Sequence, residues 1–118
     1  MEEILSNQTA VNKVVKHMLA QGEKAYNSSA KVCVYWDERT GKRCAIGCLM
    51  TKKECTYAER YGDVMGLLDG EVLPERLLDL DLELLMDLQD VHDNKDPTSW
   101  FKELAKVAVK YNLSMPNG

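Results

Sequence analysis

The sequence predicts an α+β protein: four or five helices packed around one small antiparallel β-hairpin or sheet. Three observations carry that expectation. Apolar residues recur at helical spacing near both ends of the chain. A β-branched and aromatic run, "KVCVYW", stands between them. A Gly-containing turn then separates this run from a second apolar segment, "KRCAIGCLM". With 118 residues, 45% of them hydrophobic and 29% charged, the chain suits one domain spanning 1–118 that buries a core without staples.

The first helix follows from Val11, Val14, Val15, Met18 and Leu19, which fall at i, i+3, i+4, i+7 and i+8 on one face. Ser6 or Asn7 supplies its cap and Gly22 its end, and His17, flanking the apolar face, reads as a surface residue. "KVCVYW" reads as a strand, because β-branched and aromatic residues suit a pleated surface. Gly41 supplies the positive φ of a bulged turn. Pairing Glu38 with Lys42 then sets Trp36 opposite Cys44, Val34 opposite Ile46 and Val32 opposite Cys48 on one face. Cys33, Tyr35, Ala45, Gly47 and Leu49 take the other.

The later elements are helical. "YAERYGDVMGLLDG" is a helix weakened by Gly62 and Gly66. Pro74 opens the next segment, where Leu77, Leu80, Leu84, Leu88 and Val91 keep helical spacing and Leu85 widens the stripe. A strand reading competes over "LDLDLEL"; two helical pieces, with Asp79 or Asp81 as the N-cap at their break, fit better. In the last helix Asp96 caps and Pro97 takes the first position. Trp100, Phe101, Leu104, Ala108 and Tyr111 form the inner face. Asn112 closes it, and 113–118 reads as a frayed tail.

Charge excludes one class of function. Residues 1–60 carry ten Lys/Arg against seven Asp/Glu, and residues 61–118 five against twelve. A chain of net charge −4 with an acidic second half is a poor duplex-DNA binder, whose affinity comes mainly from phosphate neutralisation. No apolar run approaches the roughly 20 residues that cross a bilayer. The start, "MEEILSNQTAVNK", lacks the cationic and apolar regions of a secretory signal. A cytoplasmic protein is expected, its four cysteines reduced.

Four constellations compete as sites. Cys33, Cys44, Cys48 and Cys55 are spaced C-x10-C-x3-C-x6-C, whereas structural zinc favours two close pairs, so free thiols and no metal are expected. Cys44 as a nucleophile with His92 as its base defines a cysteine-dependent enzyme, with Lys42 and Arg43 lowering the thiol pKa. Asp93 adjoins His92, but neighbouring helical residues point about 100° apart. The carboxylates Asp79, Asp81, Glu83, Asp87, Asp90, Asp93 and Asp96 lack the EF-hand pattern and read as a solvated face. The remaining cluster is cationic and aromatic: Tyr35, Trp36, Arg39, Lys42 and Arg43, with Lys52 and Lys53 further on. Arg offers forked hydrogen bonds to phosphate or carboxylate, aromatics offer stacking, and Gly47 permits close approach to the backbone.

The run "CVYW…GKRCAIGCLM", with the later "LQDVHD" and "WFKELA", resembles a group of small phage and prophage proteins. Their shared pattern is a Cys-x-Tyr strand, a Gly turn, a KCAIG segment and LQ-x-HD. Cys33, Tyr35, Gly41, Cys44, Ala45, Ile46, Gly47, Leu88, Gln89, His92 and Asp93 match it. Trp36 departs from it, standing where a basic residue is expected, and "KRCAIG" departs from the simpler "KCAIG". The resemblance covers about two-thirds of the chain and implies an origin and a fold more than an activity. It suits an accessory protein of the host cytoplasm, acting stoichiometrically and in an anti-defence role. Such a protein sequesters an anionic, nucleotide-type molecule or inhibits a host protein.

The reading is therefore a non-catalytic binding protein without cofactor, homo-oligomeric on general grounds. Its ligand contacts are Tyr35, Trp36, Arg39, Lys42, Arg43 and Gly47, joined by His92 and Asp93 if the fold brings them near. The rivals are the Cys44–His92 enzyme and an interaction domain with no small ligand.

Overall fold

The structure is a computed structural model and describes residues 6–27, 32–37, 39–61, 66–67, 70, 73–78 and 80–116. Helix α1 (Asn7–Gln21) starts where the Ser6 side chain accepts the Thr9 N–H. It stops at Gly22, whose φ of 70° lets its N–H reach the Met18 carbonyl. Its buried stripe is Ala10, Val11, Val14, Val15 and Met18. Leu19, expected on this stripe, is 42% exposed.

Two short strands follow, β1 (Tyr26–Asn27) and β2 (Val32–Cys33), paired antiparallel with Tyr26 opposite Cys33. The chain then turns through a 3-10 segment, Gly47–Leu49, into α2 (Lys52–Ala58) and a second 3-10 turn, Glu59–Tyr61. Thr51 and Glu54 form a capping box at the start of α2. Helix α3 (Glu75–Leu78) is one turn long. Asp81 caps α4 (Leu82–Asn94) by accepting the Glu83 N–H, while Asp79 lies outside the described residues. Asp96 and Pro97 open a 3-10 turn, Pro97–Ser99, that leads into α5 (Trp100–Lys110).

Helices α4 and α5 pack on each other and both pack on α1. Their leucines join Trp100, the α1 stripe and the 44–50 segment in one hydrophobic cluster. Phe101, expected inside, is 62% exposed, because Trp100, Leu104 and Ala108 already fill the inner face of α5. Asn112, at φ 60°, closes α5 as expected. Of the tail expected to fray, residues 113–115 are held and 117–118 lie outside the described residues. Ser114 shares three hydrogen bonds with the Gln8 side chain, and Leu113 and Met115 pack on the core. Among the described residues no helix is long and apolar enough to cross a membrane.

The expected α+β class is overturned: the protein is all-α, its strand content among the described residues reduced to the β1–β2 ladder. The predicted hairpin fails in two ways. Strand β2 turns back onto the preceding segment, with the Val34 N–H on the Ala25 carbonyl and Val32 opposite Asn27. The turn around Gly41 does form, but its register is Trp36 opposite Arg43, one residue away from the expected Trp36–Cys44 pairing. A slip of one residue exchanges the faces of a strand. Beyond Arg43 the described residues form no returning strand. The segment bonds to itself instead: Cys48 N–H to the Cys44 carbonyl, Leu49 N–H to the Ile46 carbonyl, and Gly47 N–H to the Cys44 sulfur. Local bonds of this kind satisfy a backbone that a ladder would otherwise have to pair.

Candidate functional site

The motif residues meet beneath the 44–47 segment. Helix α4 places His92 one turn beyond Leu88 on its inner face, where the ring is fully buried and stacks on Trp100 with centroids 5.6 Å apart. His92 Nε2 accepts the Ala25 N–H at 3.0 Å, which puts the ring proton on Nδ1, and Nδ1 donates to Asp93 Oδ1 at 2.7 Å. The same oxygen accepts from Gln89 Nε2 at 2.8 Å. Gln89 Oε1 in turn accepts the Ile46 N–H at 3.1 Å. The resulting chain of bonds runs Ile46–Gln89–Asp93–His92–Ala25 and joins the "CAIG" and "LQDVHD" motifs directly. Although they are sequence neighbours, Asp93 does reach His92, because the side chains bend towards each other at the edge of the helix.

This network is saturated. His92 has no ring nitrogen left to serve as a base, and Cys44 lies fully buried with its sulfur accepting the Gly47 N–H at 3.2 Å. Burial pushes the Cys44 thiol well above its ordinary range, and it pushes Cys48 and Cys55 up to about 12. Lys42 and Arg43 do not reverse that, so at neutral pH these sulfurs are thiols rather than thiolates. The side chain of Cys33 lies outside the described residues. Among those described, no three His, Cys, Asp or Glu side chains are grouped to hold a metal.

Gly47 has a different tenant from the expected ligand. A Cβ there would lie 2.0 Å from the Tyr35 carbonyl oxygen, so the missing side chain makes room for the Tyr35 backbone. Tyr35 itself is buried, and its N–H donates to Glu59 Oε2 at 3.1 Å, which ties the strip made of residues 35–37 and 43–47 to the end of α2. Helix α1 grips the opposite end. Gln21 accepts the Arg43 N–H and donates to its carbonyl, both at 2.8 Å, and His17 Nε2 donates to that carbonyl at 2.9 Å. His17, read as a surface residue, is thus a second structural histidine.

The outer face of the strip carries the other predicted contacts. The Arg43 guanidinium lies 5.0 Å from the Trp36 ring centroid, both residues being half-buried. Lys42 is ion-paired with Glu23, and Arg39 stands exposed at the turn beside Asp37. Of the eight predicted ligand residues, Trp36, Arg39, Lys42 and Arg43 reach the surface, Asp93 is half-buried, and Tyr35, Gly47 and His92 are interior.

A groove of about 580 Å³ runs along α2, lined by Lys52, Lys53, Glu54, Thr56, Tyr57, Arg60 and Pro74. Sequence reading reached only its two lysines. The signal for Tyr57 and Arg60 is the spacing: Lys53, Tyr57 and Arg60 fall at i, i+4 and i+7, one face over about two helical turns. Tyr57 is 50% exposed and lies against Tyr61 with centroids 5.6 Å apart, and the Arg60 guanidinium stands 6.0 Å over the Tyr57 ring. Glu54, the single acid among these lining residues, turns Oε1 back to accept the Thr51 N–H in the capping box. Cationic side chains therefore dominate the groove over an apolar floor. Comparison of the chain with protein-family models, with curated proteins and with solved structures finds no match.

Proposed function

We propose that the protein is a non-catalytic binding protein that takes an anionic small molecule stoichiometrically in the α2 groove. One observation carries this reading: Lys52, Lys53 and Arg60 line a cleft of small-molecule size together with a half-exposed tyrosine. Such a surface offers charge to an anion and an apolar wall to the rest of the ligand. The saturated His92 and buried Cys44 support binding over cysteine chemistry, since neither presents a reacting group to a substrate. The resemblance to phage and prophage proteins supports an accessory role in the host cytoplasm, where sequestering an anionic metabolite blunts a defence response.

Calorimetric titration with inorganic pyrophosphate at low salt tests the reading. The native chain is expected to bind, and the Lys52→Glu/Lys53→Glu double variant to bind at least about tenfold more weakly, because the exchange replaces attraction by repulsion at the rim. No heat of binding to the native chain, or equal binding by the variant, overturns it.

A second reading, inhibition of a host protein, is favoured by the stripe of Phe101, Ala105 and Val109 along α5, where Phe101 is 62% and Val109 76% exposed. Under that reading Phe101→Asp abolishes the inhibitory effect in cells, while reversing the groove lysines leaves it intact.

A further inference from the structure

We infer that the outer face of α5 docks an acidic amphipathic helix of a partner protein. The partner's apolar ridge lies along Phe101, Ala105 and Val109, and its carboxylates meet Lys102 and Lys106. The inference rests on the second reading above, names the chemistry of its partner, and does not depend on the α2 groove.

Helical spacing assembles the face. Phe101, Ala105 and Val109 follow at i, i+4 and i+8 and make one ridge about 12 Å long. Phe101 is 62% and Val109 76% exposed, and half-buried Ala105 leaves a notch between them. An open cleft of about 630 Å³ over this ridge is lined by the same three residues with Lys102 and Lys106. At about 100° per residue the two lysines stand along one edge, and on the other edge Leu104 and Ala108 turn down into the core. Lys102 has no partner among the described residues, and Lys106, 62% exposed, meets Glu103 at 3.6 Å.

Each property of the face selects its occupant. The side of a helix offers side chains but no free backbone N–H or C=O. An extended segment docked there leaves its own backbone groups without partners. A second helix arrives with those groups already bonded, and a side chain of its ridge fits the Ala105 notch. The lysines set the sign of its edge, with carboxylates one turn apart.

A second copy of this chain fits poorly. Antiparallel pairing of two α5 helices about a two-fold axis brings the same edges together, lysine against lysine, and parallel pairing drives the lysine edge into the partner's body. An anionic membrane is a poor occupant as well. The chain carries a net charge of −4, and residues 61–118 hold twelve acids against five bases, so the body around α5 is repelled where its two lysines are drawn in.

A labelled, alanine-rich helical peptide of about 18 residues tests the inference, with leucines on one ridge and glutamates at i and i+4 along its edge. Fluorescence anisotropy with the full chain at low salt is expected to show binding, weakened at least about tenfold when lysine replaces each glutamate. Lys102→Glu/Lys106→Glu is expected to reverse that preference, and Phe101→Ala to weaken the acidic peptide at least about fivefold. Equal binding of the two peptides, or a preference that the double variant does not reverse, overturns the acidic partner while leaving the ridge an interface. Failure of the acidic peptide to bind overturns the inference outright. The host-protein reading survives that failure if Phe101→Asp still abolishes inhibition in cells, and falls with it if not. Sedimentation of the chain alone as a dimer that Phe101→Asp disperses overturns the inference in favour of a second copy, and flotation with phosphatidylserine vesicles overturns it in favour of a lipid surface.

Discussion

The network beneath the 44–47 segment and the groove along α2 draw on similar side chains, and they differ in what those side chains already hold. In the network, His92, Asp93 and Gln89 spend their polar atoms on one another and on the backbone of Ala25 and Ile46. In the groove, Tyr57 and Arg60 face solvent; the Tyr57 hydroxyl meets only the Tyr61 hydroxyl among the described residues, at 3.5 Å, and the Arg60 guanidinium lies 6.0 Å over the Tyr57 ring. A cluster of chemically capable residues is therefore no indication of chemistry by itself. The polar atoms left over after the fold has been satisfied are what a ligand can use. Substitutions in the first region should move stability and leave binding alone, and those in the second should do the reverse.

The comparison breaks most sharply at Gly47. Gly47→Ala places a methyl 2.0 Å from a backbone oxygen that has no room to give, and a loss of about 3 kcal/mol or more is expected in urea unfolding. A loss under about 1 kcal/mol would show that the strip is not packed as tightly as described. His92→Phe comes next. It keeps an aromatic ring beside Trp100 but strands the buried Ala25 N–H, which should cost about 1–3 kcal/mol with pyrophosphate affinity unchanged. A parallel loss of affinity would mean that the two regions are coupled.

Acid gives a smaller, graded effect through His17. Burial holds its pKa below the ordinary 6.5; the Arg43 carbonyl opposes this, and the Arg43 charge adds to it. Between the folded and unfolded values the unfolded chain binds the extra proton. Stability is therefore full above about pH 6.5 and falls as the pH drops through and below it. Urea midpoints from pH 8 to pH 5 should decline less in His17→Gln than in the native chain, and coincident slopes would remove His17 from the account. The smallest stability effect is expected in the groove itself. Tyr57→Ala should shift unfolding by no more than about 0.5 kcal/mol, the usual range for a surface site, and a larger cost would make Tyr57 part of the frame.

What the sequence disclosed follows from how locally each feature is determined. The α1 stripe, the Asp81 and Asp96 caps, Pro97 at the first turn and Asn112 at the last are set by residues within a few positions of each other, and all were legible. The strand pairing was not. "KVCVYW" has the composition of a strand in any context, but its partner depends on whether "CAIGCL" extends or coils. Cysteine sulfurs bonding to the backbone within their own turn tip that balance, and no β-propensity contains them. Gly47 was recognised as a point of close approach, though its occupant was the chain itself. The His92–Asp93 contact was missed because an average angle between helical neighbours ignores side-chain reach. The groove was half seen, since its lysines were noted as charge and its tyrosine was not placed beside them.

The three described thiols have a further consequence. Cys44, Cys48 and Cys55 lie along the strip and α2 with their sulfurs hydrogen-bonded and protonated in the native state. Cys44 and Cys55 are buried and stay unreactive until their own neighbourhoods open, whereas Cys48 is partly exposed, so the modification rates of the first two become clocks for local breathing. In a Cys33→Ser background, Cys44 would time the release of the central strip and Cys55 the loosening of α2. Ligand in the groove should slow the second clock more than the first. The molecule thus carries its own reporters, one set beside each of the two regions compared here.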